Sequence, residues 1–194
     1  TLAELRSHVR YILDEKSETF WEDTELNLYI NFEYNALVRE IMGVYANYYE
    51  EEVGIKTIAG NSYVALPSNH GGNVISIVYN GTPLRSKDRR LFLYAGSSNS
   101  DSSGEPQFFA IFGKNIWLYP QPNAIYDLTL QQTYVPIDLA SDGDEVDFPL
   151  GCEQLISWGT VISGLMKDKQ GMGDIASRYS QMKQSMLLGL NSRQ

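Results

Sequence analysis

The first part of the chain carries apolar side chains three or four positions apart, which is the spacing of an amphipathic helix. In TLAELRSHVRYILDEKSE, residues 1–18, this pattern predicts a first helix, and Thr1 and Glu4 stand at the spacing of a capping box. The predicted buried stripe of this helix consists of Leu2, Leu5, Val9, Ile12 and Leu13. The chain is therefore expected to begin with a short amphipathic helix.

A second helix is predicted within SETFWEDTELNLYINFEYNALVREIM, residues 17–42. Asp23 or Thr24 is expected to cap it, because short polar side chains accept hydrogen bonds from the free amides of a first turn. Trp21, just before the cap, is expected to pack against the first turns of the helix. The predicted buried stripe consists of Leu26, Ile30, Leu37 and Ile41.

From about Val53 the pattern changes to alternation, which predicts strands. Two strands around a GN turn are predicted in VGIKTIAGNSYVALP. A further strand, with a hairpin turn at its NG pair, is predicted in NVISIVYNGTPLR. Together these two segments are expected to form a meander. The Ser-rich segment 97–106 is too polar to pack and predicts an exposed loop. Three further strands are predicted in 107–136, where the alternating apolar residues are Phe109, Ile111, Ile116 and Leu118.

Helical spacing returns after the acidic connector IDLASDGDEVDFP, and Pro149 is expected at the start of the third helix. The predicted apolar face of this helix consists of Leu155, Trp158, Ile162 and Leu165. QGMGD is expected to end it, and a fourth helix follows. The stripe of the fourth helix consists of Ile175, Tyr179, Met182 and Met186.

This order of elements predicts an α+β fold. We expect the N-terminal and C-terminal helix pairs to form a four-helix bundle, with an antiparallel β lobe inserted between them. The predicted domains are N-terminal helices at 1–50, the β lobe at 51–137, and an acidic connector with C-terminal helices at 138–194 that pack with residues 1–50.

Composition narrows the possible functions. The 194 residues carry a formal net charge of -9, which argues against tight binding of nucleic acid. Affinity for nucleic acid comes largely from cationic side chains that displace counterions from the phosphates. A single cysteine, Cys152, excludes a disulfide framework and a multi-thiolate metal site. The sequence contains no apolar run long enough to span a bilayer, so we expect a soluble protein made in a cytoplasm.

Few residues of the sequence stand in a pattern typical of a metal site or a catalytic site. Asp142, Asp144 and Glu153 stand at the first, third and twelfth positions of a calcium loop, but Val146 and Asp147 break that pattern, which favours a solvated acidic turn. The two histidines lie far apart in sequence, and no nucleophile or phosphate-binding motif is present. The one basic cluster, RSKDRR at 85–90, is expected to contact an acidic partner or to be solvated. The sequence thus predicts no enzyme, no cofactor and no metal.

Taken in order, several segments resemble the head-to-tail adaptor (connector) proteins of short-tailed bacteriophages. The resemblance covers nearly the whole chain. It rests on several segments that occur in the same order, rather than on one motif. The segments that carry it are TLAELRSHVRYIL, FWEDTELNLYIN, AGNSYVALPSN, VYNGTPLR and GEPQFFAIFGKNIWLYPQPNAIYDLTLQQTYVP, followed by a helix pair.

This resemblance implies a structural virion protein that forms a ring, a dodecamer, below the portal protein. Such a ring lengthens the DNA channel, takes part in tail assembly and DNA ejection, and docks tail nozzle or fibre proteins. DNA would pass through the channel without specific binding, and no membrane is implied. The expected location is the neck or tail of the virion, after assembly in the host cytoplasm.

The residues expected to contact a neighbouring copy or another virion protein are surplus aromatic, basic and C-terminal apolar side chains. They are Tyr45, Tyr48, Tyr49, Arg85, Lys87, Arg89, Arg90, Met186, Leu187, Leu188 and Leu190. Phe32 is a further surplus aromatic residue on the second helix. For the C-terminal segment two interpretations remain open: docking into a groove of the portal, or packing on the chain's own bundle.

Two functions of other classes remain as alternatives. A carbohydrate-binding β lobe would use Trp117, Tyr119 and Tyr126, because aromatic faces stack on sugar rings. A tail-associated cell-wall hydrolase would need a pair of carboxylates that converge only in the folded chain. The sequence contains 24 acidic residues, so their number alone favours neither function.

Overall fold

The structure is a computed structural model of the chain. It describes residues 1–15, 20–88, 90, 102–149, 151–167 and 173–192. The fold is α+β: the described ranges include four α-helices of eleven or more residues, and the sheets are mostly antiparallel. The chain divides into two compact units. The helical unit comprises Thr1–Tyr48 and Pro136–Gln194, and the β unit comprises Tyr49–Val135.

The four helices of the helical unit are α1 (Leu2–Ile12), α2 (Asp23–Val44), α3 (Glu153–Lys167) and α4 (Gly173–Asn191). α3 contacts α1, α2 and α4, and α2 also contacts α1 and α4. The predicted capping box of α1 is confirmed, with Thr1 and Glu4 bonded reciprocally. The predicted stripe of α2 is also confirmed, because Leu26, Ile30, Leu37 and Ile41 are all at most 1% exposed.

The predicted cap of α2 is wrong. Glu22 occupies the N-cap position and makes no side-chain capping bond. The carboxylate of Asp23 instead accepts a 2.6 Å hydrogen bond from Arg10 and lies 3.2 Å from Arg6. Arg6 also bonds Asp142 of the acidic connector at 2.9 Å. Ion pairs therefore join α1, the start of α2 and the connector, a long-range arrangement that local spacing does not reveal.

The third helix also differs from its prediction. Pro149 does not begin it, because α3 starts at Glu153, after a bend in which Cys152 donates its N–H to the carbonyl of Pro149. Trp158, Ile162 and Leu165 are only half-buried. The fully buried face instead combines apolar residues with small or polar ones: Cys152, Leu155, Ile156, Ser157, Gly159, Thr160, Val161 and Gly164. The segment predicted to end this helix, 170–174, lies mostly outside the described residues.

The described residues of the β unit form ten strands, and a short 3-10 helix at Ala46–Tyr49 precedes the first of them. Their bounds are β1 Glu50–Lys56, β2 Tyr63–Ala65, β3 His70–Tyr79, β4 Thr82–Pro83, β5 Arg85–Ser86, β6 Ser103–Gly104, β7 Phe108–Phe112, β8 Asn115–Tyr119, β9 Gln121–Pro122 and β10 Asp127–Tyr134.

The strands form two four-stranded sheets and one two-stranded sheet. The first sheet has the order β1-β10-β3-β4, and the second has the order β2-β8-β7-β5. The predicted meander is therefore wrong, since β1 and β2 follow each other in sequence but belong to different sheets. The hairpin at Asn80 and Gly81 is confirmed: both residues have positive φ and join antiparallel β3 and β4.

Two short strand pairs are parallel rather than antiparallel: β5 with β7 and β6 with β9. The second pair changes the prediction for the Ser-rich segment. Residues 97–101 lie outside the described residues, but Ser103–Gly104 forms β6 and Pro106 is buried. The end of this segment therefore packs against the β unit, because its backbone finds hydrogen-bond partners in β9.

The core of the β unit lies between its two four-stranded sheets. Side chains of the first sheet meet side chains of β7 and β8 from the second, as expected for packed sheets with alternating inward positions. The buried residues of this core are Ile55, Ile77, Phe109, Ile116, Leu118, Leu128 and Leu130. Ile111, predicted to continue the alternation of Phe109, is 36% exposed near the end of β7, where neighbouring side chains no longer cover it.

Candidate interaction surfaces

One face of α2 carries apolar side chains that the helical unit does not cover. Leu28 and Phe32 are each 67% exposed, although Ile30 between them is fully buried. They are one helical turn apart and point away from the buried stripe. Sequence analysis identified Phe32 and missed Leu28, although the spacing of the two residues, off the main stripe, was a visible signal. Exposed apolar residues that share a helix face are typical of an interaction surface.

A groove of about 470 Å³ lies between α3 and the first half of α4. Its mostly apolar lining consists of Trp158, Asp174, Ile175, Arg178, Tyr179 and Met182. Sequence analysis placed the apolar members of this set on buried stripes, but they are only half-buried. The third and fourth helices therefore leave a concave apolar surface between them.

Near this groove, Glu33 of α2 links α2 to α3. Its carboxylate accepts a 2.9 Å hydrogen bond from the hydroxyl of Ser163. A Cβ at Gly159 would lie 2.4 Å from the same carboxylate, so α2 and α3 approach closely only because residue 159 has no side chain. Burial raises the pKa of Tyr179, and the carboxylates of Glu33 and Glu40 act in the same direction.

The three tyrosines predicted at an interface differ in exposure. Tyr45 and Tyr48 are half-buried, and their rings lie 6.0 Å apart. Burial raises the pKa of Tyr48 to about 12, and the nearby carboxylate of Asp147 adds to the rise. Tyr49 is fully buried and packs edge-to-face against Tyr134. Tyr45 and Tyr48 thus keep part of their surface available, and Tyr49 does not.

The C-terminal apolar residues are similarly divided. Leu188 is 64% exposed, whereas Leu190 is 3% exposed and Met186 and Leu187 are half-buried. Lys183, on the same helix, donates a 2.8 Å hydrogen bond to Glu40 of α2. The end of α4 is therefore packed into the helical unit, and only Leu188 presents a mainly exposed apolar side chain there.

The basic cluster lies where the chain crosses from the first sheet of the β unit to the second. Arg85 and Arg90 are exposed, and the ammonium of Lys87 lies 3.8 Å from the ring centroid of Phe108. Arg89 lies outside the described residues. Arg85 also lines a cavity of about 400 Å³ together with Glu105. Arg85 and Lys87 thus lie along the edge of the second sheet, where β5 pairs with β7.

The aromatic residues proposed for sugar stacking already contact other rings. The ring of Trp117 is stacked on Phe112 at 4.6 Å and packs against Tyr63 at 5.2 Å. Tyr126 packs edge-to-face on Tyr79. Since neighbouring side chains cover these faces, the geometry counts against a carbohydrate platform built on Trp117.

Backbone groups hold the carboxylate of Asp144 in the acidic turn before α3. The carboxylate of Asp144 accepts hydrogen bonds from the N–H groups of Ser141 and Ala140, which hold its pKa below the usual value. Asp142 is paired with Arg6. Within the described ranges, no three or more His, Cys, Asp or Glu side chains are grouped so that they would hold a metal ion. Nor does any helix of those ranges have the length and apolarity to cross a membrane.

The comparison with protein families identifies the chain. A family model described as SU10 adaptor protein matches residues 1–194. No curated protein matches the sequence. The match spans every element described above, and it confirms the resemblance to phage head-to-tail adaptors found in the sequence. The chain belongs to the SU10 adaptor protein family.

Proposed function

We propose that this chain is a structural virion protein that assembles into a ring, a dodecamer, and joins the portal protein to the tail. The observation that carries the proposal is the family match over residues 1–194. In this role the N-terminal and C-terminal helices act together as a four-helix bundle, and the β unit is a lobe inserted between them. The ring is assembled in the host cytoplasm and remains in the neck of the virion.

The electrostatics of the chain fit a DNA channel. With a formal net charge of -9, the protein does not favour tight binding of DNA, because phosphate recognition depends on cationic contacts. An acidic ring lengthens the channel of the portal and lets DNA pass during ejection without holding it. In this role the protein is a structural component that joins two parts of the virion, and it is not an enzyme.

The surfaces of the helical unit supply candidate contacts. The exposed face at Leu28 and Phe32 and the groove beside Trp158 are suited to neighbouring copies or the portal, because apolar surface is normally covered in an assembly. Tyr45, Tyr48 and Leu188 remain candidate interface residues. Tyr49 and Leu190 are left out of the proposed interface, because the folded chain already covers them.

The direct test is imaging of assembled particles. Electron microscopy of virions that contain this chain is expected to show a ring of its copies between the portal and the tail, with tail nozzle or fibre proteins docked on the ring. Particles assembled without the chain are expected to lack attached tails. Density for this chain at any other place in the virion would overturn the proposal.

A further inference from the structure

The first strand of the β unit has a long side that no other described strand covers. β1 stands first in the order β1-β10-β3-β4, so among the described strands it pairs only with β10. All seven residues of β1 pair with β10 in one antiparallel register, without a bulge. A regular edge strand of this kind presents a row of backbone groups that a further strand can bind.

The register shows which backbone groups of β1 face away from β10. The N–H of Thr57 donates to the carbonyl of Tyr126, and these two residues continue the register of the β1–β10 pairs. Hydrogen-bonded and non-hydrogen-bonded pairs alternate in an antiparallel ladder, so Glu51, Val53 and Ile55 bond to β10. The residues between them direct their N–H and C=O groups to the other side. These outward positions are Glu50, Glu52, Gly54 and Lys56.

The outward positions are accessible in the folded chain. All four are exposed, whereas Ile55 between two of them is buried. Within the part of the chain that the structure describes, no hydrogen bond joins their outward backbone groups to another residue. Backbone N–H and C=O groups need partners, and here only water or another molecule can supply them.

Gly54 is an independent indication that another molecule approaches β1. A Cβ at Gly54 would meet no atom within 4 Å, and the residue does not have a positive φ. The strand has no bulge at this position. A glycine inside a strand weakens it, and apart from bulges and bends it marks a place where another backbone or a ligand comes close. The folded chain itself gives no reason for a glycine here.

The charge of the strand identifies the kind of partner. Glu50, Glu51 and Glu52 line a pocket of about 200 Å³ together with Ile75 and Gln131, on the sheet face beside the open edge. The side-chain amide of Gln131 donates a 2.6 Å hydrogen bond to the carboxylate of Glu52, which holds that carboxylate at the pocket. Opposite charges that face each other across two strands stabilise the pairing. The partner strand is therefore expected to carry Lys or Arg.

The same charge disfavours a second copy of this chain at the β1 edge. Two copies of β1 would bring their glutamates together, and like charges directly opposite each other destabilise a strand pair. The basic strand β5 is already paired with β7, since the N–H groups of Arg85 and Lys87 donate to carbonyls of the residues before and within β7. These observations favour a partner other than this chain.

We propose that an extended basic segment of another virion protein adds to the open side of β1 as a fifth strand of the first sheet, with a Lys or Arg side chain in the pocket beside Glu50 and Glu52. The inference rests on the proposed function, because an adaptor holds proteins other than itself. Main-chain hydrogen bonds to the outward positions supply affinity, and the alternate side chains supply selectivity. The glutamates also keep the open edges of different copies from pairing with each other.

Two pairs of variants separate the open edge from the rest of the strand. Gly54→Pro removes an N–H that β10 does not use, and proline is tolerated on an edge strand in that orientation. Gly54→Ala keeps this N–H and is its matched control. Glu50→Gln with Glu52→Gln removes two charges and keeps the acceptor oxygens, and Glu22→Gln with Glu145→Gln removes two exposed charges of the helical unit as a control. A melting temperature close to that of the wild type checks that each variant is folded.

Photo-cross-linking in assembled tailed particles identifies the partner. Lys56→p-benzoylphenylalanine places the reactive group at an outward position of β1. The same group at Lys114, in the exposed turn between β7 and β8, is the control for a site away from this edge. Only the group at residue 56 is expected to link the chain to a basic segment of another virion protein, which mass spectrometry of the product identifies.

The edge variants are then combined with the reactive group at residue 56. Gly54→Pro is expected to reduce the product roughly tenfold or more, because the added strand loses a main-chain hydrogen bond and meets the proline ring. Gly54→Ala is expected to keep it. The paired change of Glu50 and Glu52 is also expected to reduce it, while the control pair in the helical unit leaves it unchanged.

Three outcomes overturn this inference and leave the proposed ring intact. They are a product that joins two copies of this chain, a ring in the particle without any product at residue 56, and a product that Gly54→Pro does not reduce. Particles whose neck contains no ring of the wild-type chain contradict the proposed function itself, so the two failures are distinguishable.

Discussion

The two units of this protein place their apolar and charged groups differently. The helical unit leaves apolar side chains on its surface, at Leu28, Phe32 and Leu188, while Arg6 and Arg10 are paired with carboxylates inside the unit. The β unit pairs many of its aromatic rings with each other and presents charge along its edges. We infer that contacts of the helical unit with other proteins depend mainly on apolar surface, and contacts of the β unit mainly on charge.

Substitutions in the cores of the two units are expected to have the largest effects on stability, and they test whether the two units behave differently. Ile30 in α2 and Ile77 in β3 are both fully buried. Each change to alanine is expected to lower the free energy of unfolding by about 2–5 kcal/mol, because a buried side chain is lost and a cavity remains. Hydrogen exchange resolved by peptide is expected to rise mainly in the helices for Ile30→Ala and mainly in the strands for Ile77→Ala. Equal acceleration in both units for both variants would break the comparison.

The C-terminal helix provides the next largest effect. Leu190→Ala is expected to lower the free energy of unfolding by about 2–4 kcal/mol, because Leu190 is only 3% exposed. Leu188→Ala is the matched control on the same turn, and its expected change lies within about 0.5 kcal/mol, because Leu188 is 64% exposed. Urea denaturation of both variants measures the difference. If Leu190→Ala is neutral, the segment is a docking tail rather than part of the core.

The close approach of α2 and α3 at Gly159 gives a smaller effect. Gly159→Ala is expected to destabilise the chain by about 1 kcal/mol, because the new Cβ displaces the carboxylate of Glu33 and breaks its bond to Ser163.

Gly164→Ala is the control for that variant. Its Cβ would meet Trp21 at 3.6 Å, an ordinary contact. This change is expected to stabilise the chain by up to about 1 kcal/mol through helix propensity. Thermal melting of the pair measures both signs, and two stabilised variants would show that Glu33 moves aside without cost.

A pH effect is expected at Tyr48 and is the smallest of the set. Burial raises the pKa of Tyr48 in the folded chain to about 12, from the ordinary tyrosine value of 10.0. The folded state therefore holds this proton more tightly, so the contribution of Tyr48 to stability is complete below pH 10 and is lost as the pH rises towards 12.

Comparison of variants isolates this contribution. Tyr48→Phe is expected to flatten the decline of stability in that pH range. Tyr11→Phe, which removes a phenol that is 80% exposed, serves as the matched control. Stability is followed by urea denaturation at each pH. A decline as steep in Tyr48→Phe as in the wild type would show that other groups cause it.

The helices were largely predictable from the sequence because the signals that define them are local. The stripe from Leu26 to Ile41 and the reciprocal bonds of Thr1 and Glu4 depend on residues within a few turns of each other. The face of α3 was not predictable in the same way. Its buried side includes Ser157, Gly159 and Thr160, since close packing against α2 selects small side chains rather than apolar ones.

The pairing of most strands, in contrast, could not be predicted from local signals. Alternation located most of them, and the turn at Asn80 and Gly81 fixed one pairing. No local signal indicates that β1 pairs with β10, more than 70 positions further along the chain, rather than with β2. The basic segment 85–90 was likewise visible in the sequence, but the pairing of Arg85 and Ser86 with β7, more than 20 positions further along the chain, was not.

The central claim is that this chain is the ring-forming adaptor between portal and tail. Native mass spectrometry of the purified chain mixed with a purified portal ring tests it most directly. The account predicts one dominant complex in which a fixed number of copies, twelve, is bound to each portal ring. A chain that remains unbound, or that adds to the portal in a broad distribution without a closed set, would contradict it.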